Sequence, residues 1–318
     1  MKKKYLRLLD YFFVLRPTLF FPVWTISLAG FWASERARAQ TGWRIDVPWH
    51  PGGDGEVFFF VSLLTLLMGA AFLINQLTDV ESDRLNNKLY LIASGAIPIR
   101  HAQAESILLI LLSLTLTALF HPLLALWAVT IFMLTGWAYS CTPLLLKNRP
   151  WGGLFANLGG SLGIFSFGWL IDGAFDAAMF LQALPYVLGV AAVYFLTTIP
   201  DLPGDRATGK VTLAVHWGPG RVLRAAVIVD GMAAAAALWL RDPVALTATL
   251  LAWPFFYQAW RQQNVAAVLR TNKYATLILS FLVCWRFPFY LGILLFIYFI
   301  SRWYYAKRFK VRYPSLRT

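Results

Sequence analysis

With 318 residues, of which 59% are hydrophobic and only 14% charged, the chain is too apolar for an ordinary soluble protein, where about a quarter of residues carry charge. A mean hydropathy of +0.60 and repeated apolar runs near the ~20 residues of a bilayer-crossing helix indicate a polytopic membrane protein. A net charge of +13 would suggest nucleic acid in a soluble chain, but here the lysines and arginines lie mainly between apolar runs, where they set topology and meet anionic head groups. No nucleic-acid partner is expected and no obligate protein partner is inferred.

Lys2, Lys3, Lys4 and Arg7 precede an apolar stretch that runs through Arg16-Pro17 to about Ala33. It lacks a small-residue cleavage site at the usual distance and reads as a retained first helix with residues 1–11 cytoplasmic. Further spans are expected at 57–77, 104–120, 122–140, 153–171, 180–200, 221–240, 243–260 and 274–300, about nine in all. The fold class is all-α, because an apolar run in hydrocarbon must satisfy its own backbone and barrel-type alternation is absent. The chain is expected to be one membrane-embedded domain around a central lipid-substrate cavity, with a basic tail at 302–318.

Loops after the even-numbered spans carry Arg84, Lys88, Arg100, Lys147, Arg149, Arg206, Lys210, Arg261, Arg270 and Lys273, which places them in the cytoplasm. Nine spans leave the tail outside although it holds Arg302, Lys307, Arg308, Lys310, Arg312 and Arg317. A break at Arg286-Phe287-Pro288 is the alternative. Cys141 and Cys284 form neither a disulfide framework nor a metal pair, and read as structural thiols.

The acids are few and unevenly placed. Asn75, Asp79 and Asp83 are spaced by four, so a helix continuing through them stacks two carboxylates and an amide on one face. Asp201 and Asp205 repeat the spacing about 120 residues later, although Pro200, Pro203 and Gly204 make a continuous helix there less secure. Five of the chain's fifteen acids fall in these two segments on one side of the membrane. Like charges one turn apart call for a cation, and all-oxygen ligands suit Mg²⁺, which commonly takes one or two carboxylates plus substrate phosphates. Arg84 and Lys88 follow the first cluster, Arg206 and Lys210 the second, as a metal-bridged polyanion requires. The plain alternative is a solvated helix end paired with those bases.

These motifs resemble those of the UbiA superfamily of intramembrane prenyltransferases. Asn75, Asp79 and Asp83 match its Asn-x3-Asp-x3-Asp pattern, Asp201 and Asp205 its Asp-x3-Asp, and Tyr139-Ser140-Cys141-Thr142-Pro143-Leu144 with Lys147 its Tyr-Ser-x-x-Pro-Leu loop ahead of a base. The segment Leu89 to Gly95 departs from the family's Arg-Pro-Leu-Pro-Ser-Gly-like stretch, keeping only Ser94-Gly95. The resemblance implies Mg²⁺-dependent transfer of a prenyl group from an isoprenyl diphosphate to a lipophilic or aromatic acceptor in quinone, tetrapyrrole or related lipid synthesis. It implies metal ligation and catalysis by Asp79, Asp83, Asp201 and Asp205 with Asn75 assisting, diphosphate contacts from Lys147, Arg206, Lys210, Arg84 and Lys88, membrane lipid around the helices, and a location in the inner (plasma) membrane. A cation transporter and a CDP-alcohol phosphotransferase-like enzyme are the rival readings. The first would need acids near mid-membrane. The second would need Asp-Gly and Ala-Arg elements before Gly-x3-Asp-x3-Asp, a run the sequence lacks.

Other residues are read from general behaviour. Arg16 is expected to snorkel to the surface rather than face the acceptor. Asp230 reads either as a functional acid or as a partner for a neighbouring helix, and Asn157 as an interhelical hydrogen bond. Gly159 and Gly163 read as a close helix contact, Trp303, Tyr304 and Tyr305 as interfacial anchors, and Tyr139 or Tyr194 as rings able to shield a cation.

Overall fold

The computed structural model describes residues 2–44, 54–85 and 91–314, which hold helices and no strand. In chain order the helices are α1 (Lys2–Val14), α2 (Phe20–Ala39), α3 (Asp54–Thr78), α4 (Val80–Leu85), α5 (Ile99–Phe120), α6 (Pro122–Phe132) and α7 (Pro150–Leu170). They continue with α8 (Ala177–Thr197), α9 (Leu202–Ala207), α10 (Leu213–Trp217), α11 (Pro219–Trp239), α12 (Pro243–Gln262), α13 (Val265–Arg286) and α14 (Pro288–Phe309). Proline opens α6, α7, α11, α12 and α14, at the position where a helix needs no N–H donor. Side chains of Asp176, Asp242 and Asn264 cap α8, α12 and α13 by accepting from the first free amides. α6 widens to π geometry over Met133–Ala138 before it ends at the Tyr139 loop.

Eight helical stretches are long and apolar enough to cross a membrane, and α6 and α12 complete the bundle. The outer face of α5 is correspondingly greasy, with Leu108, Leu111 and Leu119 exposed. Two expectations change. The first apolar run is broken, since Arg16 takes a left-handed backbone (φ 58°) and Pro17 starts a short turn that separates α1 from α2. The last run, expected as one span at 274–300, is two helices meeting at Phe287, which Pro288 holds out of helical conformation.

Contacts sort the helix ends into two sets. At one end Asp10 accepts from Tyr304 (2.6 Å) and Arg308 (3.0 Å), while Gln76 donates to the Val14 carbonyl (2.7 Å). At the other, Arg286 joins Glu35 (2.6 Å) and Asp54 (3.1 Å), Arg36 joins Asp242 (2.6 Å), and Arg38 joins Asp172 (2.5 Å). The basic tail therefore returns to the end where α1 begins.

Candidate active site at one end of the bundle

Helical bonding carries the first acidic motif into position. The α3 helix loosens at Thr78, with Asp79 N reaching Gln76 O at 3.3 Å, and re-forms as α4, with Asp83 N donating to Asp79 O at 2.8 Å. Asp79 and Asp83 are thus one turn apart, as their spacing suggested. The second motif does the same on α9, where Asp205 N donates to Asp201 O at 2.9 Å. Pro203 does not break this helix, because it occupies the first turn, where no donor is required. The two short helices α4 and α9 pack against each other, so both carboxylate pairs share one end of the bundle. Asp83 and Asp205 are buried, and Asp205 Oδ2 accepts from Thr212 Oγ1 at 3.1 Å.

Two lysines converge on Asp79. Lys147 Nζ lies 3.0 Å from Asp79 Oδ2 and 2.5 Å from Thr78 Oγ1, and Lys210 Nζ bonds Asp79 Oδ1. Burial penalises the Asp79 carboxylate, but Lys147 and Lys210 outweigh it and hold its pKa below the ordinary value. Burial lowers the pKa of Lys147 against the opposing pull of Asp79. Asn75, one turn before Asp79, donates to Ser140 Oγ at 3.4 Å.

Beneath the motifs lies a mostly apolar cavity of about 480 Å³, walled by α2, α3, α7, α8, α11, α12 and α13. Asn75, Tyr139 and Tyr194 line it, joining the carboxylate end to the interior. Its size falls within the usual range for small-molecule sites. Among the described residues no three His, Cys, Asp or Glu side chains form a closed metal cage. Two all-oxygen pairs nevertheless fit Mg²⁺, which retains waters and takes its remaining ligands from phosphate.

The model of the UbiA prenyltransferase family matches residues 23–274. The chain belongs to this family. It is 38% identical over 165 residues to digeranylgeranylglyceryl phosphate synthase from Halobacterium salinarum, covering 51% of this chain and 57% of that protein. It is 31% identical over 174 residues to the bacteriochlorophyll synthase 33 kDa chain from Cereibacter sphaeroides, covering 53% and 56% respectively. The matched part thus spans somewhat over half the length of these curated relatives. Among solved structures, a UbiA homolog from Archaeoglobus fulgidus bound to GPP and Mg²⁺ superposes with a TM-score of 0.66 at 19% identity, over 86% of this chain and 99% of that one. The same homolog bound to DMAPP and Mg²⁺ gives 0.69 at 20% identity, over 88% and 98%. These structures share the UbiA fold.

Within this UbiA fold the remaining expected residues have varied fates. Arg84 and Arg206 are exposed, and Arg84 turns toward the Ala93 carbonyl (3.5 Å). Lys88, with Leu89 and Tyr90, lies outside the described residues, whereas Leu91 and Ile92 are buried ahead of a turn closed by Gly95 (φ 73°). Arg16 lines the cavity rather than snorkelling away from it, because the left-handed kink turns the chain inward there. Asn157 lines the cavity and also bonds Tyr139 across the α6–α7 contact. Gly159 and Gly163 face Leu134 and Ile131 closely, as a small-residue contact should. Tyr304 and Tyr305 are not interfacial anchors. They are buried against Phe13, with ring centroids at 3.7 and 5.9 Å. The roles of Thr78, Ser140 and Thr212 were not anticipated, although Ser140 lies inside a motif stretch that was.

Proposed function

We propose that this chain is a single-domain, Mg²⁺-dependent prenyltransferase that moves a prenyl group from an isoprenyl diphosphate to a lipophilic or aromatic acceptor and releases diphosphate. The observation that carries this is the joining of two carboxylate pairs and two lysines to a mostly apolar cavity of about 480 Å³. Asp79 and Asp83 would hold one Mg²⁺ and Asp201 and Asp205 a second, with Asn75 supporting the first pair. When bound, the metal supplies Lewis-acid neutralisation of the leaving diphosphate. The UbiA homolog whose structure holds GPP and Mg²⁺ supports these two ligand classes for the site.

The protein's own groups do the rest. Lys147 and Lys210, which neutralise Asp79 in this structure, are placed to turn toward diphosphate oxygens once a cation takes over that carboxylate. As the carbon–oxygen bond breaks, diphosphate keeps the electron pair and an allylic cation is left at the cavity mouth. Tyr139 and Tyr194 present rings there, and the surrounding apolar wall excludes water until the acceptor nucleophile attacks and loses its proton. The basic residues gathered at this end support a cytoplasmic site in an inner (plasma) membrane.

The test is release of diphosphate from a labelled isoprenyl diphosphate by membranes carrying the protein. Release should require Mg²⁺ and should vanish in Asp79→Ala, Asp83→Ala and Asp201→Ala while insertion is unchanged. An active triple variant would end the proposal.

A further inference from the structure

Arg16 and Asp230 are the charged residues among those lining the cavity, and they differ in position. Arg16 sits at the carboxylate end. Asp230 lies eleven residues beyond Pro219, the residue that opens α11 at that same end, so the helical rise places it roughly 16 Å deeper. It lines the cavity through the little of its surface that is exposed (2%), and its Oδ2 is buried with no hydrogen-bond partner. The expected bond from that oxygen to a neighbouring helix is not made. The hydroxyl of Thr249, also on the cavity wall, is directed to the Ala245 and Leu246 carbonyls of its own helix. An acid at this depth in an apolar wall is costly unless something satisfies it.

We infer that Asp230 is a specificity-determining residue that receives a hydrogen-bonding group, a hydroxyl or an N–H, carried by the substrate that fills the cavity. This rests on the diphosphate reading of the site above it. An unmodified isoprenoid tail has no polar atom beyond its diphosphate, so the group belongs to the acceptor. The acceptor is accordingly a molecule with its nucleophile at the carboxylate end and a second polar group well removed from it, not one whose buried part is hydrocarbon alone. An apolar side chain at this position would line the cavity as well as its neighbours do and would need no partner. The carboxyl adds recognition at that depth and nothing to the packing.

Two non-reactive probes test this without turnover. n-Dodecyl diphosphate and ω-hydroxydodecyl diphosphate share a head group, and the extended chain of the second carries its hydroxyl to about the depth of Asp230. Binding to the full chain in phospholipid nanodiscs with Mg²⁺ is measured for wild type, Asp230→Leu and Asp230→Ala. Wild type should prefer the hydroxylated probe by up to about tenfold, the worth of one hydrogen bond. Both variants should lose that preference while keeping or improving affinity for the plain probe. Equal binding of the two probes to wild type overturns the inference and leaves the diphosphate site standing, as does a preference that survives in both variants. If the variants fail to fold, the wild-type comparison alone decides. Failure of both probes to bind would instead remove the diphosphate reading, and this inference with it.

Discussion

Lys147 Nζ lies 3.0 Å from Asp79 Oδ2, so the first carboxylate of the leading motif is already counter-charged. An ammonium seated on Asp79 competes with any Mg²⁺ for that carboxylate. Lys147→Met should therefore move two constants in opposite directions. The half-saturating Mg²⁺ concentration should fall, because a competitor for Asp79 is gone, and KM for the isoprenyl diphosphate should rise by about tenfold to a hundredfold, as expected when a charged hydrogen-bond donor is lost. Steady-state kinetics at varied Mg²⁺ check both. A lysine acting only in folding would weaken the two together.

The tail is held where it would be cytoplasmic with the site. Asp10 is 1% exposed and accepts from both Arg308 and Tyr304, so Arg308→Ala strands a buried carboxylate on a single phenol. A loss of about 2 kcal/mol is expected in a denaturation series, with Asp10→Asn costing less because the amide still accepts from Tyr304. For topology, cysteines placed by Arg7→Cys and Arg312→Cys should react with an impermeant thiol reagent from the same face of sealed vesicles. Labelling from opposite faces would restore an odd number of crossings.

α2 and α7 approach each other closely and reciprocally. A Cβ on Gly30 would overlap the Phe165 carbonyl, and one on Gly168 would overlap the Ser27 carbonyl. Both obstacles are backbone, which no rotamer change relieves. Gly168→Ala should cost on the order of 3 kcal/mol and lower thermal stability in detergent, while Gly189→Ala, where a Cβ meets nothing, should not.

The contrast between those glycines shows where sequence stops informing. Gly159 and Gly163 form a local pattern and were legible, whereas Gly30 and Gly168 oppose each other from distant helices and carry no local mark. The aspartate pairs were legible for the same local reason, since a spacing of four is one helical turn whatever surrounds it. Lys147 and Lys210 were readable as basic residues near a polyanion site but not as partners of Asp79, because that pairing depends on three loops converging. Asp10 and Arg308 sit at opposite ends of the chain, so their bond could be seen only in the fold. Pro288 alone marked the break in the last apolar run.

The end remote from the carboxylates is locked by a buried ion pair whose removal should separate stability from chemistry. Arg36 grips Asp242 through both terminal nitrogens (3.1 and 2.6 Å), and Asp242 also accepts from Tyr186 (2.9 Å) and caps α12 at Val244 and Ala245 (3.0 Å each). Removing one partner leaves the other charged and desolvated, so Arg36→Leu should cost about 3–5 kcal/mol. Adding Asp242→Asn should recover most of that loss, because the asparagine oxygen keeps the cap at Val244 and Ala245 and its NH2 can donate to the Tyr186 hydroxyl, with no stranded charge. Diphosphate KM should be unchanged in both variants, since the pair lies at the end remote from Asp79. Chemical denaturation alongside donor kinetics checks the two halves. A double variant no more stable than Arg36→Leu would mean that the guanidinium contributes by packing on Trp32 of its own helix (5.7 Å) rather than by neutralising Asp242.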